Sequence, residues 1–182
     1  GIKVYSSLLI GFGDIGLNYD LHQDQDEYIK THARAFYLNS GFDLKAGVDL
    51  DNKACNIFSK RYGIESYNEI EDALLHIKPD LIILAVPTSI QLESIRRIVK
   101  CYIPKTILCE KPMGDNLAQG KEIVSTCSKK NINLYVNYVR RCLPGSIEVK
   151  KRIDNGLINT PMKCVFWYSK GLRHNGSHYI NL

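Results

Sequence analysis

Gly11-Phe12-Gly13-Asp14-Ile15-Gly16 directly follows the apolar run Ser7-Leu8-Leu9-Ile10. A G-x-G-x-x-G that leaves a first buried strand is the fingerprint of a dinucleotide-binding βαβ unit. Each glycine has a physical task. Gly11 permits the tight turn out of the strand, Gly13 lets bare backbone approach a pyrophosphate, and Gly16 lets the next helix pack hard on the sheet. The N-terminus of that helix is expected to offer unpaired N–H groups and a positive dipole end to the phosphates. Phe12, Asp14 and Ile15 complete the candidate loop.

Outward from the loop, strand and helix patterns alternate. Val4 to Ile10 reads as the first strand, Thr31 to Leu38 as a helix and Phe42 to Val48 as the second strand. Asp51 to Tyr62 carries Ala54, Ile57, Phe58 and Tyr62 on one helical face, and Gly63 stops it. Asn68 is expected to cap a helix that runs through Ile77. Leu81 to Ala85 is continuously apolar, as a parallel strand buried on both faces requires. Leu92, Ile95, Ile98 and Val99 mark the next helix, and Thr106 to Cys109 the next strand. Asp115 or Asn116 caps a helix through Lys129, and Leu134 to Val136 closes the series as a short strand. This rhythm predicts an α/β fold, a doubly wound parallel sheet with helices on both faces.

After about Arg140 the rhythm changes. Ile147 to Ile153 reads as a helix ending at Asn155-Gly156, Lys163 to Ser169 as a strand, and a further helical pattern runs to Leu182. A lone strand and part of a helix cannot bury a core. The expected organisation is a first domain over 1–140 and, over 141–182, the start of a second domain that is mostly absent from this chain.

The composition excludes several classes. The chain has 182 residues, 45% of them hydrophobic, which suits a globular protein. Its longest apolar run, Leu81 to Val86, is too short for a bilayer, and no signal peptide is read, so no membrane partner and a cytoplasmic location are expected. The six cysteines are scattered without metal-ligand spacing, so reduced thiols and no metal site are expected. The formal net charge is +5, but the basic residues form dispersed pairs without a basic helix, which argues against nucleic acid.

In such sheets ligands lie beyond the carboxyl ends of the strands. Asp49 ends the second strand, where a carboxylate accepts both ribose hydroxyls and repels a 2′-phosphate, so NAD is favoured over NADP. A turn aspartate or a helix cap ahead of Asn52 is the competing reading. The interval from Gly16 to Asp49 exceeds the usual ~20 residues. Polar Asn18 to Lys30 accounts for the excess and is a candidate flap beside the cofactor entrance. Ala85-Val86-Pro87-Thr88 leaves the next strand near the expected path of the nicotinamide ribose. Glu110-Lys111-Pro112 follows Thr106 to Cys109. A Glu-Lys pair is often a surface ion pair, but a lysine at a strand's carboxyl end can hold a substrate oxygen and stabilise alkoxide charge. Far along the chain, His174-Asn175-Gly176-Ser177-His178 places two histidines four apart. With no third ligand evident, proton transfer is favoured over metal binding.

Together these residues resemble the Gfo/Idh/MocA family of nicotinamide-dependent oxidoreductases, which includes glucose-fructose oxidoreductase and inositol dehydrogenase. The specific carriers are Glu110-Lys111-Pro112, the Gly176-Ser177-His178 segment, which looks like the family's D-x-G-x-H, and Asn137-Tyr138-x-Arg140-Arg141, which looks like its crossing into the second domain. The resemblance implies a Rossmann domain followed by an α/β domain with a large open sheet. It implies Lys111 as catalytic lysine and His178 as catalytic histidine, with Glu110 and Lys111 also candidate cofactor-binding residues. His174, Asn175 and Arg140 become candidate substrate residues, and the full-length protein is expected to be a homo-oligomer. His174 stands where many members have aspartate, and H-x-G-x-H looks like members linked with bacterial surface-polysaccharide synthesis. A sugar, nucleotide-sugar or polyol-like substrate follows. Gln91 stands where many members carry histidine, and it can hydrogen-bond but not act as a base.

Two other readings compete with a dehydrogenase. One is a non-catalytic cofactor-sensing or regulatory protein on the same fold. The other is an inactive truncated fragment, whose apolar residues after Tyr138 would drive aggregation or pairing.

Overall fold

In a computed structural model, residues 3–159, 161–163 and 165 are described. Contacts divide the chain into two compact units, Gly1–Val136 and Asn137–Leu182. In the first unit the strands are β1 Tyr5–Ile10, β2 Phe42–Val48, β3 Glu65–Tyr67, β4 Leu81–Leu84, β5 Thr106–Cys109 and β6 Asn133–Val136. The helices between them are α1 His32–Leu38, α2 Asn52–Tyr62, α3 Ile70–His76, α4 Thr88–Cys101 and α5 Leu117–Lys129. All pairings are parallel, in the order β3-β2-β1-β4-β5-β6. That is the doubly wound Rossmann order, with its reversal between β1 and β4.

The core is split by the sheet, because successive strand side chains point to opposite faces. Leu8, Ile10, Ile82, Leu84 and Ile107 face Leu74 of α3, Ile95 and Ile98 of α4 and Ile123 of α5. Leu9, Leu44 and Ile83 face Ala33 of α1 and Phe58 and Tyr62 of α2. β4 is buried at every position, which is why its sequence is apolar without alternation. On the second face, Phe12 of the glycine loop stacks on Phe58 with ring centroids 4.4 Å apart. Gly47 in β2 makes room for that stack.

The structure corrects several expectations. A strand, β3, lies where none was read, since Glu-Ser-Tyr has no apolar run and takes its state from pairing with Ala46–Val48. Asn68 does not cap α3. Glu69 is the N-cap residue, and the Asn68 amide donates to the Asp49 carbonyl instead. Asn116, not Asp115, caps α5 by accepting the Gln119 N–H. The helix expected after Gly16 is a five-residue π-helical turn, Asp14–Asn18. A loop of turns then leads to α1, so no long dipole points at the glycine loop.

In the second unit, a 3₁₀ turn, Val139–Cys142, precedes α6, Pro144–Asp154, which starts at a proline that needs no N–H partner. The strand expected over 163–169 falls largely outside the described residues. Among the described residues no helix is long and apolar enough to cross a membrane.

A Cβ on Gly47 would sit 2.3 Å from the Phe12 ring and 2.9 Å from Phe58. Gly47→Ala is therefore expected to destabilise the fold by ~1–3 kcal/mol through overpacking. Urea unfolding measures this, and an unchanged midpoint would contradict the packing described.

Candidate functional site

The ladder continues one residue past the strand ends. Glu110 N–H donates to Leu84 O (3.1 Å), Ala85 N–H to Ile10 O (2.8 Å), Gly11 N–H to Val48 O (2.8 Å) and Asp49 N–H to Tyr67 O (3.1 Å). This row sets Glu110, Ala85, Gly11 and Asp49 side by side at the carboxyl edge, although they are distant in sequence.

The glycine loop is built by crowding. Gly11 has φ +103°, and a Cβ there would lie 2.3 Å from the Ala85 carbonyl oxygen. A Cβ on Gly16 would lie 2.1 Å from the Gly11 carbonyl oxygen. Gly13 differs: nothing lies within 4 Å of its Cβ position, and the residue is exposed. Bare backbone there faces open space, as close approach of a pyrophosphate needs. The first N–H groups of the Asp14–Asn18 turn have no earlier carbonyl of the turn to bond, so they are donors for an anion. The turn closes on Gly13 O, which accepts from Leu17 (2.9 Å) and Asn18 (3.1 Å).

Asp49 serves the loop as well as the cleft. Its Oδ2 accepts the Phe12 N–H at 2.8 Å, and its Oδ1 accepts the Asp51 N–H at 2.9 Å. Asp51 is the N-cap of α2, accepting the Lys53 N–H, so the helix-cap reading of Asp49 is replaced by a turn role. An ionised carboxylate accepts about four hydrogen bonds, so Asp49 retains capacity for ribose hydroxyls. Its neighbour Leu50 is exposed and uncharged.

Gly11, Gly13, Asp49, Ala85, Val86 and Pro87 line a cleft of about 330 Å³. Arg97 also lines it, but its guanidinium bonds Glu69 and Glu71, which raise its pKa and hold it as a structural cation. A larger hollow of about 520 Å³ lies at the opposite edge, among the residues that begin the strands: Tyr5, Phe42, Leu81, Thr106 and Asn133. It lacks the glycine loop, and ligands of such sheets sit at the carboxyl edge. Thr88 opens α4 after Pro87, which is the N-cap residue.

The Glu110-Lys111-Pro112 turn is clamped. Gln91 is wholly buried. Its amide donates to the Glu110 carbonyl at 2.7 Å and accepts the Gly114 N–H at 2.8 Å. Glu110 is no surface residue: its Oε1 lies 2.6 Å from His32 Nε2, and both side chains are buried. Lys111 is half-buried and joined to Pro112 by a cis peptide bond. Asn18 to Lys30 is tied rather than a loose flap. Buried Asp20 accepts the N–H groups of Lys30 (2.7 Å) and Thr31 (2.9 Å), and buried Arg34 donates to the carbonyls of Asp20, Asp24 and Tyr28.

The glycine loop, Asp49, the 85–88 turn, Glu110 and Lys111 thus share one edge. Arg140 lies in the second unit, and His174, Asn175 and His178 lie outside the described residues. Sequence reading missed Asp20, His32 and Arg34. Among the described residues no group of three or more His, Cys, Asp or Glu could hold a metal ion.

This fold and loop define a dinucleotide-binding Rossmann domain. Residues 7–138 match the Gfo/Idh/MocA family, described as an oxidoreductase family with an NAD-binding Rossmann fold, and the chain belongs to it. It is 29% identical over 131 residues to an inositol 2-dehydrogenase of Rhizobium meliloti, covering 71% of this chain and 38% of that protein. Scyllo-inositol dehydrogenase from Lactobacillus casei, solved with NAD(H) and scyllo-inositol, superposes with TM-score 0.71 at 18% identity, over 86% of this chain and 43% of that one. The WlbA dehydrogenase from Bordetella pertussis, solved with NADH and UDP-GlcNAcA, gives 0.69 at 21% identity, over 85% and 40%. At those identities the structural likeness shows the fold alone. The chain spans well under half the length of these relatives.

Burial, with Glu110 alongside, pushes the Cys109 thiol up to about 12. It therefore stays protonated, and inert as a nucleophile, at every pH well below that value. Iodoacetamide at pH 8 is expected to label exposed Cys101 and Cys142 and to reach Cys109 only after unfolding. Mass mapping checks this, and labelling of native Cys109 at the rate of Cys101 would contradict it.

Proposed function

We propose that this chain is the cofactor-binding part of an NAD-dependent oxidoreductase that interconverts a hydroxyl and a carbonyl on a sugar, sugar-nucleotide or polyol-like substrate. The observation that carries the reading is the shared edge: Lys111 stands two residues past β5, one strand from the Ala85–Pro87 turn that lines the cleft. The residues fit a dinucleotide. Gly13 leaves its backbone open, the Asp14–Asn18 turn offers N–H donors, and Asp49 has acceptor capacity left. When bound, NAD supplies the hydride acceptor. The chain's own residues then manage the substrate oxygen. Lys111 holds it and offsets its negative charge, while His178 takes the hydroxyl proton. The names and ligands of the relatives support a polyol or sugar ring as the substrate class.

NAD is preferred over NADP because Asp49 is anionic, Leu50 offers no cation, and Arg97 is committed to Glu69 and Glu71. A 2′-phosphate beside a carboxylate costs about 1 kcal/mol or more at close range. NADH is therefore expected to bind at least ~5-fold more tightly than NADPH, and Asp49→Ser to erase that margin. Nicotinamide fluorescence titration reads both, and equal affinities for the unaltered protein would contradict the assignment.

Lys111→Ala in the full-length protein should lower kcat by ~10²–10³-fold while NADH affinity holds. A steady-state assay with a panel of inositols and UDP-sugars checks this. Undiminished turnover would remove Lys111 from the mechanism, and NADH binding with no turnover on any panel member would favour the cofactor-sensing reading.

A further inference from the structure

We propose that Asn68 is a specificity-determining residue for the dinucleotide: its side-chain oxygen selects the base by accepting from the exocyclic amine of adenine. This deepens the dinucleotide reading given above and rests on it. With the ribose at Asp49 and the pyrophosphate at Gly13, the base lies on the far side of Asp49 from the glycine loop. The cleft there is bounded by Leu50 past β2, by Asn68 and Ile70 where β3 runs into α3, and by Val86, Ile90 and Ser94 around the start of α4. Four of these are apolar, and the flat purine ring is the part of a dinucleotide that gains from such walls.

The polar groups among these walls accept. Asn68 Nδ2 donates to the Asp49 carbonyl at 3.1 Å and lies 3.6 Å from the Cys55 sulfur. A carbonyl oxygen needs the NH₂ arm against it, so this contact sets which way the amide is turned. Oδ1 is then the arm turned away from Asp49, and among the described residues it has no hydrogen-bond partner. Nor is Asn68 a helix cap, since α3 begins after Glu69 without a side-chain bond. An amide held by one arm, capping nothing and lining a cleft, keeps its other arm for a ligand. Ser94 Oγ donates to the Ile90 carbonyl at 2.8 Å, so its remaining capacity is also that of an acceptor. Arg97, the cation on this wall, directs Nε to Glu71 and Nη2 to Glu69.

Adenine and hypoxanthine isolate this one contact. The two rings share an outline, but C6 carries an amine donor in adenine and an oxygen acceptor in hypoxanthine. Asn68 Oδ1 gains a hydrogen bond from the first and faces a second acceptor in the other, and leaving a polar group unpaired costs more than a made bond gains. Ribose, pyrophosphate and nicotinamide are common to both dinucleotides, so Asp49 and the glycine loop do not tell them apart.

Nicotinamide fluorescence titrations of the purified chain with NADH and with reduced nicotinamide hypoxanthine dinucleotide test the assignment. The unaltered protein is expected to bind NADH ~5-fold or more tightly than the hypoxanthine form. Asn68→Ala should bring the two within ~2-fold of each other. Asn68→Asp keeps an acceptor but loses the amide bond to Asp49, so it should weaken both and leave NADH ahead. Equal affinities in the unaltered protein, or a preference that survives Asn68→Ala, would overturn the proposal. So would a preference lost equally in Asn68→Asp, which would place the effect in the support of Asp49. Saturable binding of neither dinucleotide would instead overturn the dinucleotide reading itself, so the two failures are distinguishable.

Discussion

The row of backbone hydrogen bonds just beyond the strand ends is the constraint on which this molecule depends. It runs from Glu110 to Leu84, from Ala85 to Ile10, from Gly11 to Val48 and from Asp49 to Tyr67. Each bond is ordinary, worth about 1 kcal/mol. Their joint effect is positional. They place an acid, a glycine turn, a proline turn and a lysine on one edge without any of these groups being near another in sequence. The row closes only because Gly11 and Gly16 have no side chains. A Cβ at either would collide with a carbonyl oxygen at little over 2 Å. Site geometry and sheet integrity are therefore the same requirement.

That requirement explains which features were legible in the sequence. Strands buried on both faces must be apolar throughout, so Leu81 to Leu84 declared itself. α2 carried its own stop, Gly63 in the left-handed conformation at its end, while its cap proved to be Asp51, read as the first helical residue. Glu110-Lys111-Pro112 stood out because a charged pair directly after a buried strand demands a reason. β3 was illegible because Glu65, Ser66 and Tyr67 become a strand only through their partners in β2. Asn68 looked like a cap because local spacing allowed it, while the Asp49 carbonyl beside it offered a better partner.

The segment between Gly16 and α1 was the hardest to read for a physical reason. Its charged residues suggested a solvated excursion, since aspartate and arginine are seldom buried. Asp20 and Arg34 are buried together, and their hydrogen bonds run mostly to backbone atoms of the segment itself. Such a hub is invisible to periodicity, because its logic is three-dimensional satisfaction of polar groups rather than a repeating apolar face. The same holds for His32 and Glu110, which lie far apart in sequence and meet only through the fold. The expected long helix dipole gives way to a short π-helical turn, so what the loop offers an anion is local N–H groups and an open Gly13 rather than a macrodipole.

The central claim is that the carboxyl-edge cleft, rather than the larger hollow at the amino edge, receives the dinucleotide. Amide hydrogen–deuterium exchange with and without saturating NADH tests it most directly. The account predicts slowed exchange in the glycine loop, around Asp49 and Leu50 and through residues 85–88, with peptides at Tyr5, Phe42, Thr106 and Asn133 unchanged. Protection confined to those amino-edge peptides, or none at the glycine loop under saturating NADH, would contradict it.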